Sequence, residues 1–281
     1  MTDKGFHKDL DFEDYVAIDA VNQSTLNGFK RTPAHVLHEL QTGGKRRTDS
    51  LDLGWLLHLA VLEPEQFNAE VVVPPKVDKR TKKGKEIYAE FEAAHGGKRL
   101  VDKATHAKVI AMRDAVLTHE TAGEFFTGEG VNEVTAVWDE PEHGVTCKAR
   151  IDRVSYLDEW PIVGDLKSAR DASRRGFEKS VQAYGYHVQA VHYLKGLEAL
   201  VPIPAGNPFR RFVFFVVENE PPHCVAAYEL DDAALNEGAI QRGRYLQKWR
   251  ECVESQVWPG YAPGIDYCSL PAWAFKNYVQ D

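Results

Sequence analysis

The stretch VTCKARIDRVSYLDEWPIVGDLK, residues 145–167, decides how this chain folds. Val145 to Leu157 and Trp160 to Lys167 are β-branched, apolar-rich runs of strand length, separated only by the polar pair Asp158-Glu159. The pattern predicts an antiparallel hairpin. With Asp158 and Glu159 as a two-residue turn, Leu157 faces Trp160, and counting outward sets Asp152 opposite Asp165. Cross-strand partners sit about 4.5–5.5 Å apart at Cβ, so the two carboxylates could share one ion. Strand alternation then puts Lys167 on the face of Asp165 and turns Leu166 toward a core. Asp-Glu is not a favoured turn pair, and a bulge would break this alignment.

An acid, any residue and a lysine is a cheap pattern. With 42 acidic residues among 281, chance supplies about 3 such tripeptides, and Asp165-Leu166-Lys167 is the only one present. Asp165 and Lys167 could equally be a solvated strand end, with Asp152 a surface charge beside Arg153. The register separates the two readings, because facing carboxylates repel unless a metal or a base compensates them. Phosphodiester hydrolysis suits such a constellation. Carboxylates bind hard divalent cations such as Mg²⁺ or Mn²⁺, and Lys167 would orient the attacking water or stabilise the developing charge.

The rest of the chain supplies the frame. Helices are expected through about residue 125, strands near 131–139, 145–157, 160–167, 210–218 and 224–230, and helices near 174–199 and 231–254. This is an α/β chain, a sheet flanked by helices with a helical N-terminal region. A 43% hydrophobic content in 281 residues supports one sizeable core, and no Pro/Gly-rich linker divides it. The expected organisation is one nuclease domain over 1–281: a helical part to 130, the catalytic sheet and helix over 131–230, and a C-terminal helix with an aromatic tail over 231–281.

Gln189 and Tyr193 are four apart and share a helix face, with Gly185 one turn earlier; Phe177, Val181, Tyr184, Val188 and Val191 make the same segment amphipathic, so ordinary packing would also account for them. Glu133 lies in the first strand, either as a further acid of the site or as a plain edge-strand glutamate beside Asn132 and Thr135. Asn22 to Ser24 could cap a helix starting near Thr25; that N-terminus, with Lys30 and Arg31 nearby, could also hold a 5′-phosphate.

A net charge of −8 looks wrong for a DNA enzyme, but steering depends on local patches. Lys45-Arg46-Arg47, the run Lys79 to Lys85, Arg170 with Arg174-Arg175, and Arg210-Arg211 are such patches, and Arg174 and Arg175 stand nearest the site in sequence. Cys147, Cys224, Cys252 and Cys268 have no C-x2-C spacing, which argues against zinc or an iron–sulfur cluster. No phosphate-loop motif occurs. No apolar run is long enough to span a bilayer and the polar start has no signal-peptide core, so a cytoplasmic enzyme is expected.

The ordered pieces Gly54-Trp55-Leu56-Leu57-His58, Leu62-Glu63-Pro64-Glu65, Glu133 with Val137-Trp138, Cys147 to Arg153, Val163 to Ser168, and Tyr186 to Ala190 with Tyr193 resemble the PD-(D/E)xK nuclease superfamily, and within it the RecE-type phage recombination exonucleases (exonuclease VIII). Ile151, Gly164 and Ser168 stand where that family often has proline, an apolar residue such as valine, and threonine. The resemblance implies a restriction-endonuclease-like core with a central mixed sheet. It also implies that Asp152 and Asp165 bind metal, that Lys167 is the catalytic lysine, and that the Leu166 carbonyl and His58 complete the coordination. On the residues alone His58 could be a partly buried histidine of an apolar helix. Gly54, one turn earlier, would let that helix approach the sheet closely. Gln189 and Tyr193 resemble the Gln-x3-Tyr signature of RecB-like nucleases, which steadies the site or touches DNA.

The function implied is a Mg²⁺-dependent double-strand DNA exonuclease, Mn²⁺ substituting, in a bacterial or phage-infected cell. It would degrade the 5′-ended strand of double-stranded DNA ends, leaving a 3′ overhang for a RecT-type single-strand annealing partner, and would form a homo-oligomeric ring. Two rivals stand beside it: a RecB-like structure-specific endonuclease or flap nuclease, and a catalytically silent DNA-end-binding module. The aromatics of the 258–281 tail are expected to pack on the body or a neighbouring subunit rather than stack on DNA.

Overall fold

The computed structural model describes residues 3–8, 10–43, 49–157, 160–201, 211–271 and 274–275. A short strand β1 (Gly5–His7) precedes helices α1 (Phe12–Ala17), α2 (Gln23–Gly28), α3 (Pro33–Gln41), α4 (Asp49–Leu62) and α5 (Pro64–Glu70). Next come β2 (Val71–Val72), α6 (Lys82–Ala94), β3 (Arg99–Leu100), α7 (Lys103–Thr118) and α8 (Glu120–Thr127). The main sheet follows with β4 (Gly130–Glu140), β5 (Val145–Leu157) and β6 (Trp160–Ala169), then α9 (Arg174–Tyr184), α10 (Tyr186–Leu200), β7 (Arg211–Glu218), β8 (Val225–Glu229) and α11 (Asp232–Ser255).

The main sheet runs β1-β4-β5-β6-β7-β8. It is mixed, because β6 and β7 are parallel across the α9–α10 connection while the other neighbours are antiparallel. Alternation along β7 shows why both faces are covered. Phe212, Phe214 and Val216 join a core with Ala190, Leu194 and Leu197 of α10 and Leu246 of α11. Val213, Phe215 and Val217 face Leu57 and Val61 of α4, Met112 of α7 and Phe125 of α8.

The hairpin register is the expected one. Leu157 pairs with Trp160 and the ladder continues to Arg153 with Gly164; the turn residues Asp158 and Glu159 lie outside the described residues. There β6 leaves β5. From Asp165 on it pairs only with β7, Asp165 opposite Phe214. Further along the vacated edge of β5, Val21 takes a partner's place, donating its N–H to Thr146 and accepting the Lys148 N–H, both at 2.9 Å. The splay between these two pairings is the crevice in which the site lies.

Two local devices shape it. Lys148 is buried and donates to the carbonyls of Tyr15, Val16 and Ile18, which caps the end of α1 and fastens the N-terminal segment to β5. Burial pulls its pKa down to about 8. The single helix expected over 174–199 is instead two. Gly185, at φ +71, breaks it, and a Cβ there would lie 2.5 Å from Asn27 Oδ1. Asn27 of α2 donates to the Tyr184 carbonyl and Lys30, just beyond that helix, to those of Gln182 and Ala183, so the two together cap the end of α9. This is the work Lys30 does.

Candidate active site

Asp152 is 8% exposed, and its Oδ2 accepts the backbone N–H of Leu166 at 2.8 Å. The Leu166 side chain is buried among α4, α7 and α8, as strand alternation requires. His58 reaches over from α4 and places Nε2 2.6 Å from the Leu166 carbonyl and 3.8 Å from Asp152 Oδ2. A carbonyl can only accept, so Nε2 carries the proton in this arrangement. Burial, then the charge of Lys167, lowers the His58 pKa and keeps the ring neutral.

Glu133 is the least expected feature. It sits in β4 with φ +52, a left-handed backbone conformation that costs a non-glycine residue about 1–3 kcal/mol. The rung that should join it to Asp152 is missing between the pairs Asn132–Arg153 and Val134–Ile151. Its Oε2 accepts from Arg150 Nε at 2.5 Å. Burial, reinforced by Asp152, pushes its pKa up to about 7. Burial and the neighbouring Asp165 likewise raise that of Asp152. Ligand atoms of His58, Glu133 and Asp152 all lie within 4.8 Å of one another. They form a candidate divalent-cation triad, with two crowded acids whose charge a cation would compensate.

Asp165, 1% exposed, stands beside the triad. Its Oδ1 accepts from Gln189 Nε2 at 2.5 Å, and Oδ2 is paired with the Lys167 ammonium. A buried carboxylate beside the triad fits the oxygen-rich donor set of a hard divalent cation. Burial opposes the charge on Lys167, but Asp165 and Asp152 outweigh it and hold its pKa above the ordinary lysine range. The Tyr186 ring lies 5.0 Å below the same ammonium. Tyr193 bonds to Gln189, and burial raises its pKa, so a chain of contacts runs from Tyr193 through Gln189 to Asp165.

Other expected residues are not gathered here. Arg174 is exposed and paired with Glu178 at 3.0 Å, and Arg175 is exposed on the same helix. Ser24 is exposed on α2, a six-residue helix that Asn22 caps through the Thr25 N–H. Gly54 faces Ser168, but a Cβ there would lie 3.6 Å from Ser168 Oγ, an ordinary contact, so close approach does not require glycine. Gly164 does require it, since a Cβ would fall 2.2 Å from the Phe125 ring. Arg211 pairs with Glu229; Lys45-Arg46-Arg47 and Arg210 lie outside the described residues. The four cysteines are free. In the tail, Trp258 packs on the cluster of Phe29, Val36 and Cys252, whereas Tyr267 is fully exposed and Trp273 and Tyr278 lie outside the described residues. No helix among the described residues is long and apolar enough to cross a membrane. Arg150 and Tyr186 are the site residues the sequence did not single out. Each had a positional signal, Arg150 two residues before Asp152 on a strand and Tyr186 three before Gln189 on a helix.

Fold and site together define a PD-(D/E)xK-like nuclease core with a candidate metal triad. The model of the family described as PDDEXK-like domain of unknown function (DUF3799) matches residues 22–271, and the chain belongs to that family. Among solved structures it is similar to the "Putative exonuclease" from Eubacterium rectale, at 14% identity and TM-score 0.56, over 88% of this chain and 87% of that one. It also aligns with the protein SSO0001 at 14% identity over 89% of this chain and 93% of that one, but a TM-score of 0.34 is too low to bear on the fold. Comparison with curated proteins returned no significant match.

Proposed function

We propose that this chain, read as one nuclease domain over 1–281, is a Mg²⁺-dependent exonuclease acting on double-stranded DNA ends. The observation that carries the reading is the convergence of Asp152, the Leu166 carbonyl, His58 and Glu133 with Asp165 and Lys167 where β5 and β6 part. Asp152, Asp165, His58 and the Leu166 carbonyl would hold the cation, with Glu133 completing the set. For His58 this needs the Nδ1-protonated tautomer, so that Nε2 offers its lone pair. Bound Mg²⁺ or Mn²⁺ would supply Lewis acidity at the phosphoryl oxygen and a more acidic water.

The protein's own groups do the rest. Lys167, kept charged by two carboxylates, orients the attacking water or stabilises the oxygen on which charge builds as water adds to phosphorus and the ester P–O bond breaks. Gln189 fixes the Asp165 rotamer and Tyr193 fixes Gln189, while Arg150 holds Glu133. Resemblance to the RecE-type enzymes supports 5′-to-3′ polarity, a 3′ overhang, a RecT-type annealing partner, a ring assembly and a cytoplasmic setting. The description of the Eubacterium rectale protein as a "Putative exonuclease" supports the exonuclease reading and carries nothing on polarity, partner or assembly.

The test is nucleotide release in Mg²⁺ from linear duplex labelled at either the 5′ or the 3′ end, with closed circular DNA alongside. Early loss of the 5′ label, abolished in Asp165→Ala and Lys167→Ala, supports the reading. Cutting of circles would turn it toward a RecB-like endonuclease. DNA binding without release in any divalent metal would turn it toward an end-binding module.

A further inference from the structure

We infer that the groove running from Lys167 past Tyr186 to Tyr184 seats one single nucleic-acid strand, with Tyr184 as the ring on which a base stacks. The inference rests on the nuclease reading and names the part of the molecule that holds the strand beside the reacting phosphate. A cavity of about 570 Å³ opens next to Lys167, between the end of β6 and α9. That is room for a nucleotide or two.

Its charge selects a polyanion. Arg170 and Lys179 line it against the single carboxylate of Asp171, which already accepts the Ser173 N–H at 2.9 Å, and Lys167, paired with the buried Asp165, closes its inner end. Arg170 and Lys179 form no salt bridge among the described residues, so their charge is available to phosphates. A simple anion site would need nothing more.

Tyr184 adds what an anion site lacks. It is 59% exposed, its ring centroid 5.6 Å from that of Tyr186, which in turn lies beneath the Lys167 ammonium. The ring stands on a fixed joint, because Gly185 takes a left-handed turn and Asn27 binds the Tyr184 carbonyl. An exposed, rigidly mounted aromatic beside a row of cations is how sequence-tolerant single-strand grooves hold bases. The larger cavity, about 770 Å³ between α9 and α11, mixes Glu178 and Glu237 with its lysines and arginine, and its Lys30 is committed to two carbonyls.

The experiment is binding of a short labelled oligothymidylate in EDTA, by anisotropy across a salt series, to the full-length protein and to Tyr184→Ala, Tyr184→Phe and Lys179→Ala. Release from linear duplex in Mg²⁺ is measured on the same preparations. Tyr184→Ala should weaken binding about 10-fold and Tyr184→Phe less than about 2-fold. Lys179→Ala should flatten the slope of log affinity against log salt by about 0.7. If the parent protein binds and degrades DNA while Tyr184→Ala and Lys179→Ala bind with unchanged affinity and slope, the groove assignment is wrong and the nuclease reading stands. If the parent neither binds nor degrades DNA, both are wrong.

Discussion

Asp152 and Leu166 are joined where their strands stop pairing: Oδ2 of one accepts the N–H of the other at 2.8 Å, and the Leu166 carbonyl turns to His58. A side chain has replaced a ladder bond. The Asp152 carboxylate faces Asp165, and the charge of Lys167, this one backbone donor and Arg150 offset burial and repulsion only in part, so its pKa stays raised. The site therefore gathers the carboxylates of Glu133, Asp152 and Asp165 around the cations of Lys167 and Arg150.

Gln189 should act through Asp165 rather than on DNA. Its amide binds Asp165 Oδ1, so Gln189→Ala frees that rotamer. Activity should fall roughly 10–100-fold, with the metal concentration for half activity rising in step. DNA affinity in EDTA should not change. A loss of DNA affinity with normal metal dependence would mean that Gln189 contacts the nucleic acid instead.

Acid should unfold the protein partly through His192. This ring is fully buried, donates from Nε2 to the Lys148 carbonyl and accepts from Arg242 Nε at Nδ1. Burial, then Arg242, drives its pKa down to about 3. Between there and the unfolded value of 6.5, the unfolded chain binds a proton that the native state does not. Stability thus rises with pH across this window and is lost as pH falls below about 6.5, by up to about 1.4 kcal/mol per pH unit. Urea titrations at several pH values should show that slope, and His192→Gln should flatten it.

Gly164 should tolerate no side chain, because the Phe125 ring occupies the space. Gly164→Ala should cost about 1–3 kcal/mol, and Phe125→Leu in the same chain should recover part of it. Additive costs in a double-mutant cycle would show that the two residues do not compete for the same volume.

What could be read in the sequence was local and periodic. The 145–167 register followed from two apolar runs around a polar pair, and it places Asp152 near Asp165 even though their rung never forms. The Gly185 break depends on Asn27 and Lys30, more than 150 residues away, and helical periodicity runs through it unmarked. The left-handed Glu133 has no sequence signature, since nothing about a glutamate in an apolar run announces a positive φ. Three-residue β1 was too short to show alternation. Of the patch Arg170 with Arg174-Arg175, only Arg170 lines the Lys167 groove; the other lining cation, Lys179 of α9, had no sequence signal.

Asp152→Asn should separate stability from function. The amide oxygen can still accept the Leu166 N–H, so the splay between β5 and β6 survives, but the charge facing Asp165 is gone. In EDTA near pH 8, well above the unfolded carboxylate value, the variant should be more stable than the parent, because burial and Asp165 penalise the ionised form in the native state alone. Divalent metal reverses the order. A metal at about 100 times its Kd adds roughly 2.7 kcal/mol to a protein that binds it, or about 5–10 °C in Tm for a chain of this size. The parent should gain that increment in Mg²⁺ or Mn²⁺ and Asp152→Asn should not, while losing nuclease activity. Differential scanning fluorimetry with and without metal reads both effects. A variant that is less stable than the parent in EDTA, or that keeps the full metal-dependent rise, would show that Asp152 is neither the strained charge nor the ligand assigned to it.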